Sequence, residues 1–451
     1  MKKLVATAAA AALLGSAAFA GVSLGGDSMK INMGGWGRGV WLTGNGVNSD
    51  GDNDIYTSAT KSWGGTGPRV GVEVSGESDN IGFLFGYHAE EGSNSEGTSC
   101  DYRIWWSPIE QLKVYLGKTP NQFRGDAVYG MWDIYRTGVV DRNGDFSNAT
   151  KQEEGWTFQG QSSDGAQIYA TPIEGLKLSA SFNFPLSKDA IDTGAKTIYV
   201  DANGNEVSTV VGEYYLDDSG MLVKATKKTV SGSESTNLAN VLGRKSKYAA
   251  AYDIESVGTV KVGIDTTAAR VTDKDGKAKD QNILNVAFDL KAVENLYVSV
   301  GAFVPLVQKV GNDVALGNEV NVFAKYNMDS LTINARVGTL IGTAYYKKDG
   351  YEKDGGFGFL VGAGVDYKIL EGLSFIGEVD YANGIYANRS TADNMDILDF
   401  GIGVKKSYSN GNICVAFEGT TNNGNAPVKA YATKEAKDFG WCIPVCFEYY
   451  F

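Results

Sequence analysis

Oxygen-bearing side chains recur at alternate positions twice in this chain, as Asp50, Asp52 and Asp54 and as Asp141, Asn143 and Asp145. Oxygens at that spacing can wrap a calcium ion. Lys61 stands where the first run would need a bidentate glutamate, so a solvated turn is the plainer reading of both runs and loop-bound calcium the sharper one. The chain has one histidine, His88. A serine-histidine hydrolase would need a serine beside it and a supporting polar group. Residue parity identifies no such pair, so His88 reads as a wall residue and no enzymatic activity is expected. Residues 120–155 carry a mixed charge set, in which Arg124, Asp126, Asp133, Arg136, Asp141, Arg142, Asp145, Glu153 and Glu154 accompany Trp132 and Tyr135. Facing one another across a water-filled path, such guanidinium and carboxylate groups would set up a transverse field that orients dipolar solutes and filters by charge. Arg124-Gly125-Asp126 also resembles an integrin-recognition tripeptide, a match that chance supplies easily.

These side chains need elements to position them, and the elements read as strands. Apolar residues alternate with Gly, Ser, Asn and charged residues along most of the chain. Val70, Val72 and Val74 show it, as do Ile81, Phe83, Phe85 and Tyr87, and Leu176, Leu178, Ala180, Phe182 and Phe184. So do Leu284 to Leu290, Leu331 to Val337 and Phe357 to Tyr367. A period of two marks strands with one apolar and one wetter face. By that parity Arg69, Glu73, Arg103, Lys113, Lys177, Lys261, Asp289, Lys325, Arg336, Glu378 and Asp380 share the wetter face.

Short turns join many of these strands. Pro108-Ile109-Glu110-Gln111-Leu112, Pro172-Ile173-Glu174-Gly175-Leu176, Val293-Glu294-Asn295-Leu296 and Leu370-Glu371-Gly372-Leu373 are variants of one unit. Further short turns fall at Glu77 to Asn80, Glu255 to Gly258, Met328 to Ser330 and Ser407 to Asn412. Long connections alternate with them. Eight short turns with both termini on one side predict about 18 strands, with 16 to 20 as the range if a turn is miscounted. The expected fold is all-β: a transmembrane antiparallel up-and-down barrel with short periplasmic turns and long extracellular loops. An open sheet edge has no hydrogen-bond partners in lipid, so the first strand, near Lys30 to Leu42, must pair with the last, near Trp441 to Phe451. Pro444 has no ladder donor, which predicts imperfect pairing in that last strand.

Both ends of the chain bear on compartment. Lys2 and Lys3, an apolar run from Leu4 to Leu14 and the small residues before Ala18-Phe19-Ala20 have the order of a signal peptide cleaved after Ala20. That run is too short to span a membrane as a helix. Residues 21–451 would then be the barrel. Cleavage removes two lysines and takes the net charge from −12 to −14, leaving 39 basic against 53 acidic residues. An acidic excess argues against a nucleic-acid partner. Four cysteines are too few for a disulfide scaffold at this length. Cys414 and Cys446 fall on the last two expected strands, where a cross-strand disulfide is one option. At the other end, Ile443, Val445, Phe447, Tyr449 and Phe451 put an apolar residue at every second position up to the last.

A last strand of this kind resembles the insertion signal, here Val445, Phe447, Tyr449 and Phe451, read by the barrel-assembly machinery of bacterial outer membranes. Together with the periodicity and the turn pattern, it makes residues 21–451 resemble a porin-type outer-membrane protein. The resemblance implies a passive channel for small hydrophilic solutes and ions, a homotrimer in outer-membrane lipid and no cofactor. It also implies that residues 120–155, the third long connection, fold into the lumen as a constriction carrying Arg124, Asp126, Asp133, Arg136, Asp141 and Arg142. An ordinary outer loop is the alternative. Arg69, Glu73, Arg103, Lys113, Arg336, Glu378 and Asp380 would line the opposite wall.

Residues 185–246 are too long for a simple loop. They suggest a long extracellular loop or lid with hairpins at Asp201-Ala202-Asn203-Gly204 and Asp217-Asp218-Ser219-Gly220, or extra barrel strands. Two other functions stay open at this level. A substrate-specific channel for oligosaccharides would stack sugars on Trp105, Tyr115, Tyr297, Phe303 and Phe323. A surface adhesin or structural barrel would have a blocked lumen and a partner-binding loop.

Overall fold

The computed structural model describes residues 22–24, 30–47, 50, 52–60, 69–90, 99–126, 128, 156–183, 191–209, 213–217, 219–234, 241–243, 245–266, 270–272, 278–280, 282–306, 309–310, 314–315, 318–345, 353–383, 396–421 and 439–451. The signal segment 1–20 lies outside them, as do Asp133, Arg136, Asp141, Arg142, Asn143, Asp145 and the side chains of Arg69 and His88.

Alternating sequence becomes eighteen antiparallel strands that close on themselves. They are β1 (Lys30–Val47), β2 (Arg69–Glu77), β3 (Ile81–Glu90), β4 (Ser99–Ile109), β5 (Leu112–Lys118) and β6 (Asp164–Ile173). Next come β7 (Leu176–Asn183), β8 (Ser246–Ile254), β9 (Gly258–Asp265), β10 (Ile283–Leu290), β11 (Leu296–Pro305) and β12 (Asn318–Asn327). The last six are β13 (Leu331–Tyr345), β14 (Lys353–Leu370), β15 (Leu373–Ala382), β16 (Ile397–Tyr408), β17 (Gly411–Thr420) and β18 (Gly440–Tyr450). Each pairs with the next, and β1 pairs with β18 from Trp36↔Tyr450 to Gly44↔Cys442. Phe451 completes the seam: it exchanges amide-to-carbonyl bonds of 2.7 and 2.9 Å with Gly35. Closure leaves the sheet without the unpaired edge that lipid would penalise.

All eight expected short turns are present and lie at the same end as the β18 terminus. In the Glu-Gly units the chain reverses within two residues. Ile173 pairs with Leu176 and Leu370 with Leu373, and a ladder irregularity follows each. Gly175 and Gly372 occupy left-handed backbone, φ +77° and +69°, which costs a glycine little. Pro444 also acts as expected. The β17–β18 ladder lacks its two pairs between Val415↔Val445 and Glu418↔Cys442, whereas the β1–β18 ladder runs through Leu42↔Pro444 unbroken.

One detail differs from the sequence reading and one open alternative is decided. The second barrel position is split: Asn53–Thr60 pairs with residues 40–47 of β1, and β2 pairs with residues 30–38. Among the described residues between β7 and β8 none joins the barrel sheet, which fits the loop or lid and not the extra strands. Ile191–Val200 pairs with the distant Thr226–Glu234, and Tyr214–Leu216 with Leu222–Lys224, each as a separate two-stranded sheet. The Asp201 and Asp217 turns form as expected. In each, a carboxylate accepts backbone amides two and four residues on, at 2.8–2.9 Å. The Ser219 hydroxyl also donates to Asp217 at 2.6 Å and does most to lower that carboxyl, while backbone amides, Asn205 first, do so for Asp201; both groups lie below the usual carboxylate range.

Burial is inverted relative to a water-soluble protein. Ile104, Trp106, Leu178, Val260, Val262, Val286, Val300, Val337 and Val361 are exposed on the outer face. Their neighbours on the inner face, including Ser179, Lys261, Asn285, Ser299, Arg336 and Asp380, are buried. Apolar outside and polar inside is the construction of a transmembrane barrel. Among the described residues no helix is long and apolar enough to cross a membrane.

Candidate functional site

The inner face carries the polar and charged groups, and two of its regions are built differently. The first receives both ends of the 120–155 connection. Residues 119–126 and 156–163 run beside each other: Thr119 N–H donates to Ser163 O at 2.9 Å, Gly125 N–H to Phe158 O at 3.0 Å and Thr157 N–H to Asp126 O at 2.9 Å. Arg124 lies over the Trp156 ring, 3.7 Å from its centroid.

These paired limbs turn inward and are held by side chains from six strands. Gln167 of β6 contacts Pro120 O and Gln161 O at 3.0 and 2.9 Å through its amide nitrogen. Ser181 of β7 donates to Gln161 O. Lys247 of β8 reaches Gly160 O at 3.2 Å, and Asn285 of β10 accepts from Gln159 N–H at 2.8 Å. Tyr297 of β11 donates to Asp126 Oδ2 at 2.6 Å, and Asn321 of β12 donates to Trp156 O at 2.8 Å. Ser299 Oγ lies 2.7 Å from both Thr157 Oγ1 and Asp289 Oδ1, and Lys261 pairs with Asp289 at 2.7 Å.

Packing supports these bonds. Phe123 and Phe158 from the two limbs pack on the small residues Ala249, Ala251 and Ala287. Two wall glycines make room for the backbone. A β-carbon on Gly301 would overlap Thr157 O, and one on Gly263 would lie 2.7 Å from Gln159 Nε2 and 3.1 Å from Phe158. Asp126 is pushed above the usual carboxylate range chiefly by its burial, with Asp289 adding to the shift and the Tyr297 hydrogen bond and Lys261 opposing it.

The second region lies across β13 to β15, where charges pair among themselves. Arg336, Gly362 and Asp380 occupy one row across three strands. Gly362 has no side chain to separate its neighbours, so Arg336 reaches over it to Asp380 at 2.9 Å and also pairs with Glu378. Three strongly buried ionisable groups thus sit on the inner wall, as parity placed them. Lys405 and Asp366 pair nearby at 3.1 Å and are more open to solvent.

The remaining candidates disperse. Glu73 is exposed, and Arg103 faces inward on β4. Lys113 lies 3.8 Å from Glu77 and over the Trp105 ring at 5.8 Å. Lys177 pairs with Asp253 at 2.7 Å, and Lys325 is exposed. The aromatic candidates form two separate pairs, Trp105 with Tyr115 and Tyr297 with Phe323, each 6.3 Å between ring centroids, while Phe303 is buried with Ile283. Five strands separate β5 from β11, so the two pairs are not one ladder. Asp50, Asp52 and Asp54 are exposed, with Asp54 capping Ile55 N–H at 2.7 Å. Among the described residues no three His, Cys, Asp or Glu side chains gather as a metal site. Arg124-Gly125-Asp126 is no free tripeptide, since Gly125 and Asp126 are both held within the limbs and wall.

Sequence reasoning missed Gln159, Gln161, Gln167, Asn285, Ser299 and Asn321. Gln167, Asn285, Ser299 and Asn321 carry one legible signal, a neutral polar residue on the inward parity of a strand, whereas Gln159 and Gln161 lie in the limbs and carry none.

No protein-family model matches the chain, and no curated protein sequence does. Solved structures do resemble it. OpdQ of Pseudomonas aeruginosa is 10% identical over 94% of this chain and 99% of its own, with a TM-score of 0.48. OccAB4 of Acinetobacter baumannii is 8% identical with the same coverages and TM-score. An anion-selective porin from Comamonas acidovorans is 10% identical over 94% and 100%, with a TM-score of 0.44. Identities of this size carry no residue roles across. The barrel assignment rests on the strand pairing itself.

Proposed function

We propose that this chain is a passive diffusion channel of the bacterial outer membrane, passing small hydrophilic solutes and ions. The observation that carries the reading is the closed barrel's polar and charged inner wall behind an apolar outer face. Such a wall hydrates a path that lipid cannot, and movement down a gradient needs no catalytic residue or cofactor. The limbs at 119–126 and 156–163 support the constriction reading, because both are held against the inner wall. Residues 120–155 then narrow the path. Arg124, Asp126, Asp133, Arg136, Asp141 and Arg142 supply one side of the field, and Arg336, Glu378 and Asp380 the other.

In the same reading the signal segment is removed after Ala20, the barrel-assembly machinery recognises the last strand, and the barrel works as a homotrimer. Residues 185–246 form an external loop or lid. Loop-bound calcium would be held by Asp50, Asp52 and Asp54 or by Asp141, Asn143 and Asp145. Liposome swelling tests the whole. Vesicles carrying refolded residues 21–451 should admit small sugars and amino acids at rates that fall steeply with solute size. Swelling no faster than in protein-free vesicles, with the barrel shown to be folded and inserted, would contradict the channel.

A further inference from the structure

Three of the four cysteines lie on β17 and β18, and all three belong to the inner face. Cys414 and Cys442 are buried and Cys446 is partly exposed, while Val415, Ile443 and Phe447, each next to a cysteine in sequence, face outward. Cys414 and Cys446 are directly opposite in the ladder and pack in one cluster with Ile376 and Ala416. Tyr450 N–H donates to Asn410 O at 2.6 Å, so that position is a hydrogen-bonded pair. Counting by twos makes 414/446 another. α-Carbons of such pairs lie about 5.5 Å apart, within the span that a disulfide bridges. Cys442 does not compete. It is four residues from Cys446 on the same strand, roughly 13 Å away, and its thiol donates to Glu418 at 3.6 Å.

The ladder beside this pair is broken. Parity aims the missing N–H of Pro444 at Ala416, and the pairs at 416/444 and 417/443 are absent. β18 is also the strand that closes the barrel. Its hairpin with β17 is therefore weakest two residues from two opposed thiols.

We infer that Cys414 and Cys446 form a cross-strand disulfide that replaces the hydrogen bonding lost at Pro444. The inference rests on the export proposed above, since the bond needs an oxidising compartment. Both residues are thiols in this structure. The oxidant is an oxidised dithiol carrier protein. Cys446, the more exposed thiol, attacks as thiolate one sulfur of the carrier disulfide and displaces the other carrier sulfur as thiolate. Cys414 thiolate then attacks the Cys446 sulfur of the mixed disulfide and releases the carrier's second sulfur. The cysteines lose two protons and two electrons, and the carrier leaves as a dithiol.

The test is a peptide map. Outer-membrane protein is alkylated with iodoacetamide under denaturing conditions and digested without reductant. A linked Cys414–Cys446 peptide pair, two hydrogens lighter than the separate peptides, is expected, with Cys442 alkylated. Alkylation of both Cys414 and Cys446 would overturn the inference and leave the channel proposal intact. If the chain fractionates away from the outer membrane, the export reading fails by itself. The same map on protein refolded in detergent with a glutathione redox pair then decides the bond: linked peptides uphold it and two alkylated cysteines overturn it. Reductant should also lower the wild-type unfolding temperature in detergent and leave that of a Cys414→Ser, Cys446→Ser double variant unmoved. An unmoved wild type would remove the stabilising role.

Discussion

The inner walls of β6–β12 and of β13–β15 are both polar, yet they spend that polarity differently. On the first, amides, hydroxyls and a lysine are committed to the backbone of an inward-turned segment, and small residues leave it room. On the second, an arginine and two carboxylates are committed to one another across a glycine row. The contrast teaches that a polar residue on an inner strand face is not by itself a solute contact. The β6–β12 wall acts on solutes through the loop that it positions, and the β13–β15 wall acts through its own charge.

Breaking the second wall should have the largest effect. Arg336→Gln leaves Glu378 and Asp380 buried side by side without their cation. A loss of about 3–5 kcal/mol is expected when one partner of a buried pair is removed, read as a lower urea midpoint for unfolding from detergent. Where the variant still inserts, reversal potentials should move toward cations. Unchanged stability would mean that water already screens the cluster.

Breaking the first wall comes next. Gly301→Ala puts a methyl group where Thr157 O lies and should cost about 1–3 kcal/mol as overpacking. It should also loosen the loop limbs, giving faster proteolytic cleavage between residues 126 and 156. Gly37→Ala meets no atom within 4 Å and serves as the control. Equal behaviour of the two variants would contradict the glycine recess. Tyr297→Phe removes the donor to Asp126 and should cost about 1–3 kcal/mol, with the same increase in cleavage and no change in wall charge.

The smallest expected effect sharpens the comparison through pH. Burial raises the Asp126 carboxyl above its unfolded value, so folding favours its protonated form. That favour is present at low pH and is lost as pH rises from the unfolded value through the raised folded one. Asp126→Asn should therefore flatten the pH dependence of stability above the ordinary carboxylate range, by a small amount because the group is only partly buried. A pH profile identical to that of the wild type would remove Asp126 as a source of that dependence.

Much of the barrel was legible because its signals are local. Period-two alternation located the strands, Glu-Gly and related turns located the reversals, and together they yielded eighteen strands. Parity alone put Arg336, Glu378 and Asp380 on one face, and the register then brought them together. The loop anchors were illegible for the opposite reason. Gln159 meets Asn285, and Trp156 meets Asn321, across more than a hundred residues of chain, and no local pattern encodes such a meeting. Gly301 and Gly263 look like any strand glycine until the segment that they accommodate is in place. The pairing of Ile191–Val200 with Thr226–Glu234 was hidden by the nearer Asp201 turn, which is a nested reversal.

Single-channel recording of refolded residues 21–451 in a planar bilayer addresses the central claim most directly. The account predicts stable open steps whose conductance scales with salt, and larger steps in Gly301→Ala, where the loop limbs are displaced from the wall. A folded, inserted barrel that shows no conductance in either form would contradict it.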